Sequence, residues 1–182
     1  MHRSDLVLGG FRMKTRTVAV AGVLIALAFI LSYVESLFPL PVGIPGIKLG
    51  LANLVVFVTL YTMGVPMAFV ISFVRIVLAG FAFSGMYSLL YSLAGGLLSF
   101  LGMMLLKKSQ KFAPVTVSIC GGVLHNVGQL MMAALVLETT GLVVYLPVLM
   151  IAGVICGGVI GLLGELLRGR VASFLDQTKR GK

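Results

Sequence analysis

Charged side chains are scarce in this sequence. They make up 10% of its 182 residues, against 59% hydrophobic ones. A soluble domain carries roughly 25% charged residues, so this chain cannot cover a water-facing surface. With a mean hydropathy of +1.14, its solvent must be mostly lipid. Acid is scarcer still: Asp5, Glu35, Glu138, Glu165 and Asp176 are the whole supply. No two share a short segment, which argues against a Mg²⁺ site built from clustered carboxylates. Cysteine is limited to Cys120 and Cys156, each inside an apolar run, with no CxxC and no Cys/His cluster. They read as small packed residues, and no metal site or cofactor is expected. There is no GxxxxGK[ST] phosphate loop, so ATP hydrolysis is not encoded here. No convincing internal repeat supports an inverted-repeat transporter.

What the chain does have is basic charge in particular places. The net charge is +9, which by itself could suggest nucleic acid. Position argues against nucleic acid. Arg3, Arg12, Lys14 and Arg16 precede the first apolar run. Lys107, Lys108 and Lys111 sit between two runs, and Arg168, Arg170, Lys179, Arg180 and Lys182 follow the last. Only Lys48 and Arg75 fall elsewhere. Basic clusters at the ends of apolar runs are a topology signal and favour anionic lipid headgroups. The first run resembles a signal peptide preceded by a basic n-region. It is too long for one and lacks a small-x-small end, so a retained helix is expected.

A membrane helix needs about 20 mostly apolar residues. On that measure the runs give six spans: Thr17–Leu37, Lys48–Met63, Val65–Phe81, Tyr87–Leu106, Val115–Leu137 and Leu142–Leu167. The second and third are short. Pro39, Pro41 and Pro45, with Gly43 and Gly46, keep the first loop from being helix. Six spans put all three basic clusters on one side, which the positive-inside rule makes cytoplasmic. The expected organisation is a basic cytoplasmic segment (1–16), a six-helix membrane domain (17–167) and a basic cytoplasmic tail (168–182). The expected location is the plasma membrane, multi-pass, with both termini cytoplasmic.

Small residues recur four apart. Span six has Gly153, Gly157 and Gly161; span one has Gly22 and Ala26, then Ala28 and Ser32. Such faces let helices approach closely in lipid. They fit packing within the chain or docking to another membrane protein.

Ionisable and amide groups at membrane depth are costly and must face protein or a cavity. Glu35 reads as a solvated residue in the last turn of span one. Arg75 either snorkels to the outer headgroups or lines a pocket. His125 and Gln129 are i, i+4 on span five, with Asn126 one step around. They form an interhelical network or a ligand-contacting patch. The alternating topology puts Lys48, Asn53, Arg75, Tyr87, Ser88, Tyr91, Ser92 and Gln129 in the outer half, with His125 and Asn126 near the midplane. Polar groups from four helices thus converge on one leaflet, which predicts a pocket open to the outside. Its cations favour an anionic ligand such as phosphate, diphosphate or carboxylate.

Pro45–Val55, the Val-Arg-Ile segment at Arg75 and His125–Gln129 together resemble the Gx transporter family, often labelled heptaprenyl diphosphate synthase component I. The likeness covers roughly residues 12–170. The layout is also similar to the S components of energy-coupling factor (ECF) vitamin transporters. That resemblance implies an all-α six-helix bundle that binds its ligand near the outer face, with the Pro39–Gly46 loop as a lid. It implies partner-helix contacts at Gly22 and Ala26, made with a membrane coupling protein that carries two ATPases. The family label implies instead a non-catalytic accessory subunit that handles an isoprenoid. Prenyl transfer by this chain alone is not expected, since it lacks an Asp-rich motif for Mg²⁺.

Overall fold

A computed structural model of the protein describes residues 5–8, 11–37 and 50–180. Lys48 and the Pro39–Gly46 loop lie outside them. A short antiparallel hairpin comes first, β1 (Asp5–Leu8) and β2 (Phe11–Lys14), with Asp5 opposite Lys14. The remainder is helical: α1 (Thr15–Leu37), α2 (Leu51–Thr62), α3 (Val65–Ala79), α4 (Gly85–Ser109), α5 (Pro114–Val136) and α6 (Leu146–Arg180).

Local sequence accounts for most of the boundaries. Pro66 and Pro114 open α3 and α5, where a missing N–H costs nothing. One π-turn, Gly80–Ser84, separates α3 from α4. Gly85 follows at φ 80°, a left-handed conformation that glycine adopts without strain. A 3₁₀ turn over Gly141–Tyr145 delays the start of α6 to Leu146.

Four stretches are long and apolar enough to cross a membrane: Thr17–Leu37, Val65–Ser109, Pro114–Val136 and Gly141–Val171. The second is 45 residues long, about 67 Å if it ran straight, roughly twice the hydrocarbon thickness. It doubles back at the π-turn. Phe69 meets Phe100 at 5.4 Å, and a side chain on Gly96 would strike Ile76, so α3 and α4 are antiparallel. The expected second span is shorter than predicted. It starts at Leu51 rather than Lys48 and has 12 residues, about 18 Å. The last helix runs past Leu167, where the span was expected to end, to Arg180. At 35 residues it is about 52 Å long, so it must project beyond a bilayer core.

The helices close a ring in the order α1, α3, α4, α5, α6, α2, with α2 also touching α3. Ala28, Phe57, Leu60, Ile71 and Val117 are buried at its centre. The outside is apolar as well: Phe81, Leu135, Val144 and Leu166 are all more than 70% exposed. Such a surface is unstable in water and at home in hydrocarbon. Hydroxyls on buried helix faces are satisfied locally. Thr59 and Thr62 donate to carbonyls one turn back, at 2.7 and 2.8 Å.

The small-residue stripes meet different fates. On α6, Gly153, Gly157 and Gly161 press against the α5 backbone: a Cβ at Gly157 would lie 2.7 Å from Ile119 Cα. On α1, Ala28 and Ser32 face inward while Gly22 and Ala26 are exposed. Gly22 has nothing within 4 Å of where its Cβ would be.

Candidate functional site

Arg75 projects from the C-terminal half of α3 into the ring. Its Nη2 donates to Asn53 Oδ1 of α2 at 2.9 Å, and its Nη1 reaches Ser32 Oγ of α1 at 3.4 Å. Its Nε is buried and makes no hydrogen bond among the described residues. A guanidinium has five N–H donors in a fixed fork, so this one retains capacity beyond its present partners.

These groups line a cavity at one end of the bundle. Glu35 and Ser32 come from α1, Gly50 and Asn53 from the start of α2, and Arg75 from α3. Ser84, Ser88 and Ser92 enter from the π-turn and the first turns of α4, and His125 from α5. Room for the centres of guest atoms is only about 20 Å³, enough for water. A larger guest therefore requires the walls to move apart.

Glu35 corrects the sequence expectation. It is 8% exposed rather than solvated, and it accepts a hydrogen bond from the Gly50 N–H. The carboxylate at the end of α1 thereby satisfies a donor at the start of α2, across a chain break of prolines. It also sets one negative charge in the same cavity as Arg75, which offsets part of the cost of burying the cation.

Of the residues singled out by sequence, Asn53, Arg75 and His125 come together in the cavity. Tyr91, Asn126 and Gln129 are not among its lining residues. Asn126 is buried and donates to Leu149 O at 2.8 Å, tying α5 to α6. Gln129 is buried where α5 meets Gly95 of α4. Tyr91 is partly buried one step along α4 from Ser92. Lys48 lies outside the described residues. Ser88 and Ser92, four apart on one face of α4, were among the polar groups gathered by the sequence reading. Glu35 and Ser84, the latter ahead of the turn at Gly85, were not picked out as ligand groups.

The opposite end of the ring is basic. Lys107 Nζ donates to Leu60 O and stands 5.0 Å from the Tyr61 ring, with Arg168 on that ring at 5.7 Å. Lys107 and Arg168 thus lie at the end of the ring away from the polar cavity.

Comparison with known proteins gives one match. Residues 24–167 fit the profile of the family described as heptaprenyl diphosphate synthase component I. No curated protein and no solved structure matches.

Proposed function

The chain is a membrane protein of the heptaprenyl diphosphate synthase component I family, and from that premise we propose that it is a ligand-binding subunit without catalytic activity of its own. It captures a small anionic molecule in the cavity at Arg75. One observation carries this reading: a buried guanidinium with an unpartnered Nε, facing a water-sized cavity lined also by serine hydroxyls, the Asn53 amide, the His125 imidazole and a single acidic group, Glu35. Burying an arginine among apolar helices is costly, and a bundle needing only packing would use leucine there. Asn53, Arg75 and His125 are the proposed ligand contacts, with Lys48, three residues before α2 in the sequence, proposed from the sequence alone.

The proposed topology has six crossings with both termini cytoplasmic. It is supported by the fold-back at Gly80–Gly85 and by the basic cluster at the end opposite the cavity. With that orientation the cavity opens to the outer side, as a transporter S component requires. Such a subunit works with a membrane coupling protein and two ATPases, and the exposed Gly22 and Ala26 offer the close-approach face for it. The family description favours a second reading, in which the ligand is an isoprenoid diphosphate and the partners are other components of its synthesis.

Mass spectrometry of ligands retained on native purification discriminates the two, since a vitamin-like anion and an isoprenoid differ in mass and solubility. Gly22→Leu is the companion test. With nothing within 4 Å of its Cβ position, the variant should unfold at the wild-type temperature yet lose co-purification of the coupling protein. Undiminished co-purification would remove that face from the account. Isolation as a lone chain, with all partner genes expressed and mild detergent, would count against the S-component reading.

A further inference from the structure

Ser32 and Thr59 are buried and donate to the carbonyl one turn back on their own helices, at 3.0 and 2.7 Å. That is the usual way for a hydroxyl on an apolar helix to be satisfied. Ser99 of α4 and Ser118 of α5 are buried too, at 5% and 4% exposure. Neither hydroxyl makes a hydrogen bond among the described residues. Both line a second cavity, deeper in the ring than the first. Ser99 is seven residues beyond Ser92 of the outer cavity, about 10 Å further along α4. Asn53 of α2 lines both cavities. Glycine backbone at Gly121, Gly122 and Gly157 closes the far side of the inner one. A Cβ on Gly121 would come within 3.3 Å of Ser99 Oγ, so the space depends on glycine being there.

A hydroxyl buried without a partner destabilises the fold, and two of them face this one space. A cavity holds water when it has room and two to four polar partners, and stays dry when its walls are apolar. Room for the centre of a water molecule is about 20 Å³ here, against roughly 10–15 Å³ needed for one. The partners are an amide and two hydroxyls, each from a different helix. We propose that the inner cavity is a binding site for one long-lived water, held by Ser99, Ser118 and Asn53. A metal cation is disfavoured there, because no acidic residue lines the cavity and Arg75 stands one side chain away. The water ties the short α2 to α4 and α5 at the centre of the ring. Asn53 Oδ1 accepts from Arg75 at 2.9 Å, and the rest of its amide is left for the water. The polar network of the outer cavity thereby continues inward to Ser118. This site does not depend on what the outer cavity binds.

The test is NMR of the purified full chain in detergent micelles, with the methionine methyl groups ¹³C-labelled and Met103 assigned through Met103→Leu. Met103 lines the inner cavity, so its methyl should show a nuclear Overhauser effect to water, with the sign of a slowly exchanging molecule. Ser99→Ala combined with Ser118→Ala leaves Asn53 as the one polar group on the wall, and the effect should be lost. Thermal midpoints give a second reading. Each alanine variant alone should lower the midpoint, and the double variant should lose less than the sum, because one water serves both hydroxyls. A wild-type Met103 methyl without the effect means a dry cavity and overturns the proposal, with no variant needed. An effect that persists undiminished in the folded double variant overturns it too, as do midpoint losses that simply add.

Discussion

Arg75→Gln is expected to weaken binding of an anionic ligand by about 30-fold or more. A charge-assisted hydrogen bond in a partly desolvated site contributes about 1.5–3 kcal/mol, and each 1.4 kcal/mol is about tenfold in affinity. Arg75 has a free donor in Nε and can redirect Nη2 from Asn53, so more than one such bond is lost. Lysine should not rescue, because a point charge cannot reproduce the planar fork. The single variant also removes the positive charge that shares the cavity with the buried Glu35, a destabilising change. The double variant Glu35→Gln with Arg75→Gln separates the effects. It should fold better than the single variant and still fail to bind. Titration of both against wild type is the measurement, and full affinity in the folded double variant would end the role assigned to Arg75.

Gly157→Leu should cost the fold about 3 kcal/mol or more, lowering the thermal midpoint in detergent by roughly 10 °C. A Cβ there would sit 2.7 Å from both Ile119 Cα and Ser118 O. Those are backbone atoms of α5, so relief requires the two helices to separate. In lipid, close packing of that kind holds helices together in place of a hydrophobic drive. The adjacent Gly158 is the control. Its nearest neighbour, Ile119 Cγ1, would be 3.9 Å away, and Gly158→Leu should change stability by less than about 0.5 kcal/mol. Equal midpoints for the two variants would mean that the α5–α6 seam is not where the structure has it.

The contrast between α1 and α6 marks one limit of reading the sequence. Both carry small residues four apart, yet one stripe is sealed against α5 and the other is exposed. Spacing alone cannot separate them, because lipid and protein core are equally apolar. The same degeneracy hides helix orientation. His125 and Asn126 are neighbours about 100° apart on α5, and only one faces the cavity. In a soluble protein the polar face of the helix would have indicated which way it points. Here apolar residues surround both.

What was legible followed from cost. Lys48, Asn53, Arg75, His125, Asn126 and Gln129 stand out because amides and charges at membrane depth must be accommodated. The cavity joins Asn53, Arg75 and His125 but leaves out Asn126, Gln129 and the interfacial Tyr91. Glu35 was misjudged because its partner is a backbone N–H at Gly50, fifteen residues on, beyond a loop with no regular pattern. Ser84 was passed over because small hydroxyls are common in membrane helices, where they bond their own backbone. The second span was overestimated because Ile47 and Leu49 flank Lys48 in the apolar run, whereas α2 begins at Leu51.

The central claim is a ligand cavity open to the outer side, and labelling at Ser88 tests it most directly. Cys120 and Cys156 are replaced by alanine, Ser88 by cysteine, and a membrane-impermeant maleimide is applied to intact cells and to inverted vesicles. Ser88 lines the cavity together with Arg75 and Ser84 of the π-turn. The account predicts labelling in intact cells, slowed when diphosphate or the native ligand is present. Labelling only in inverted vesicles, or at a rate that no anion alters, would contradict it.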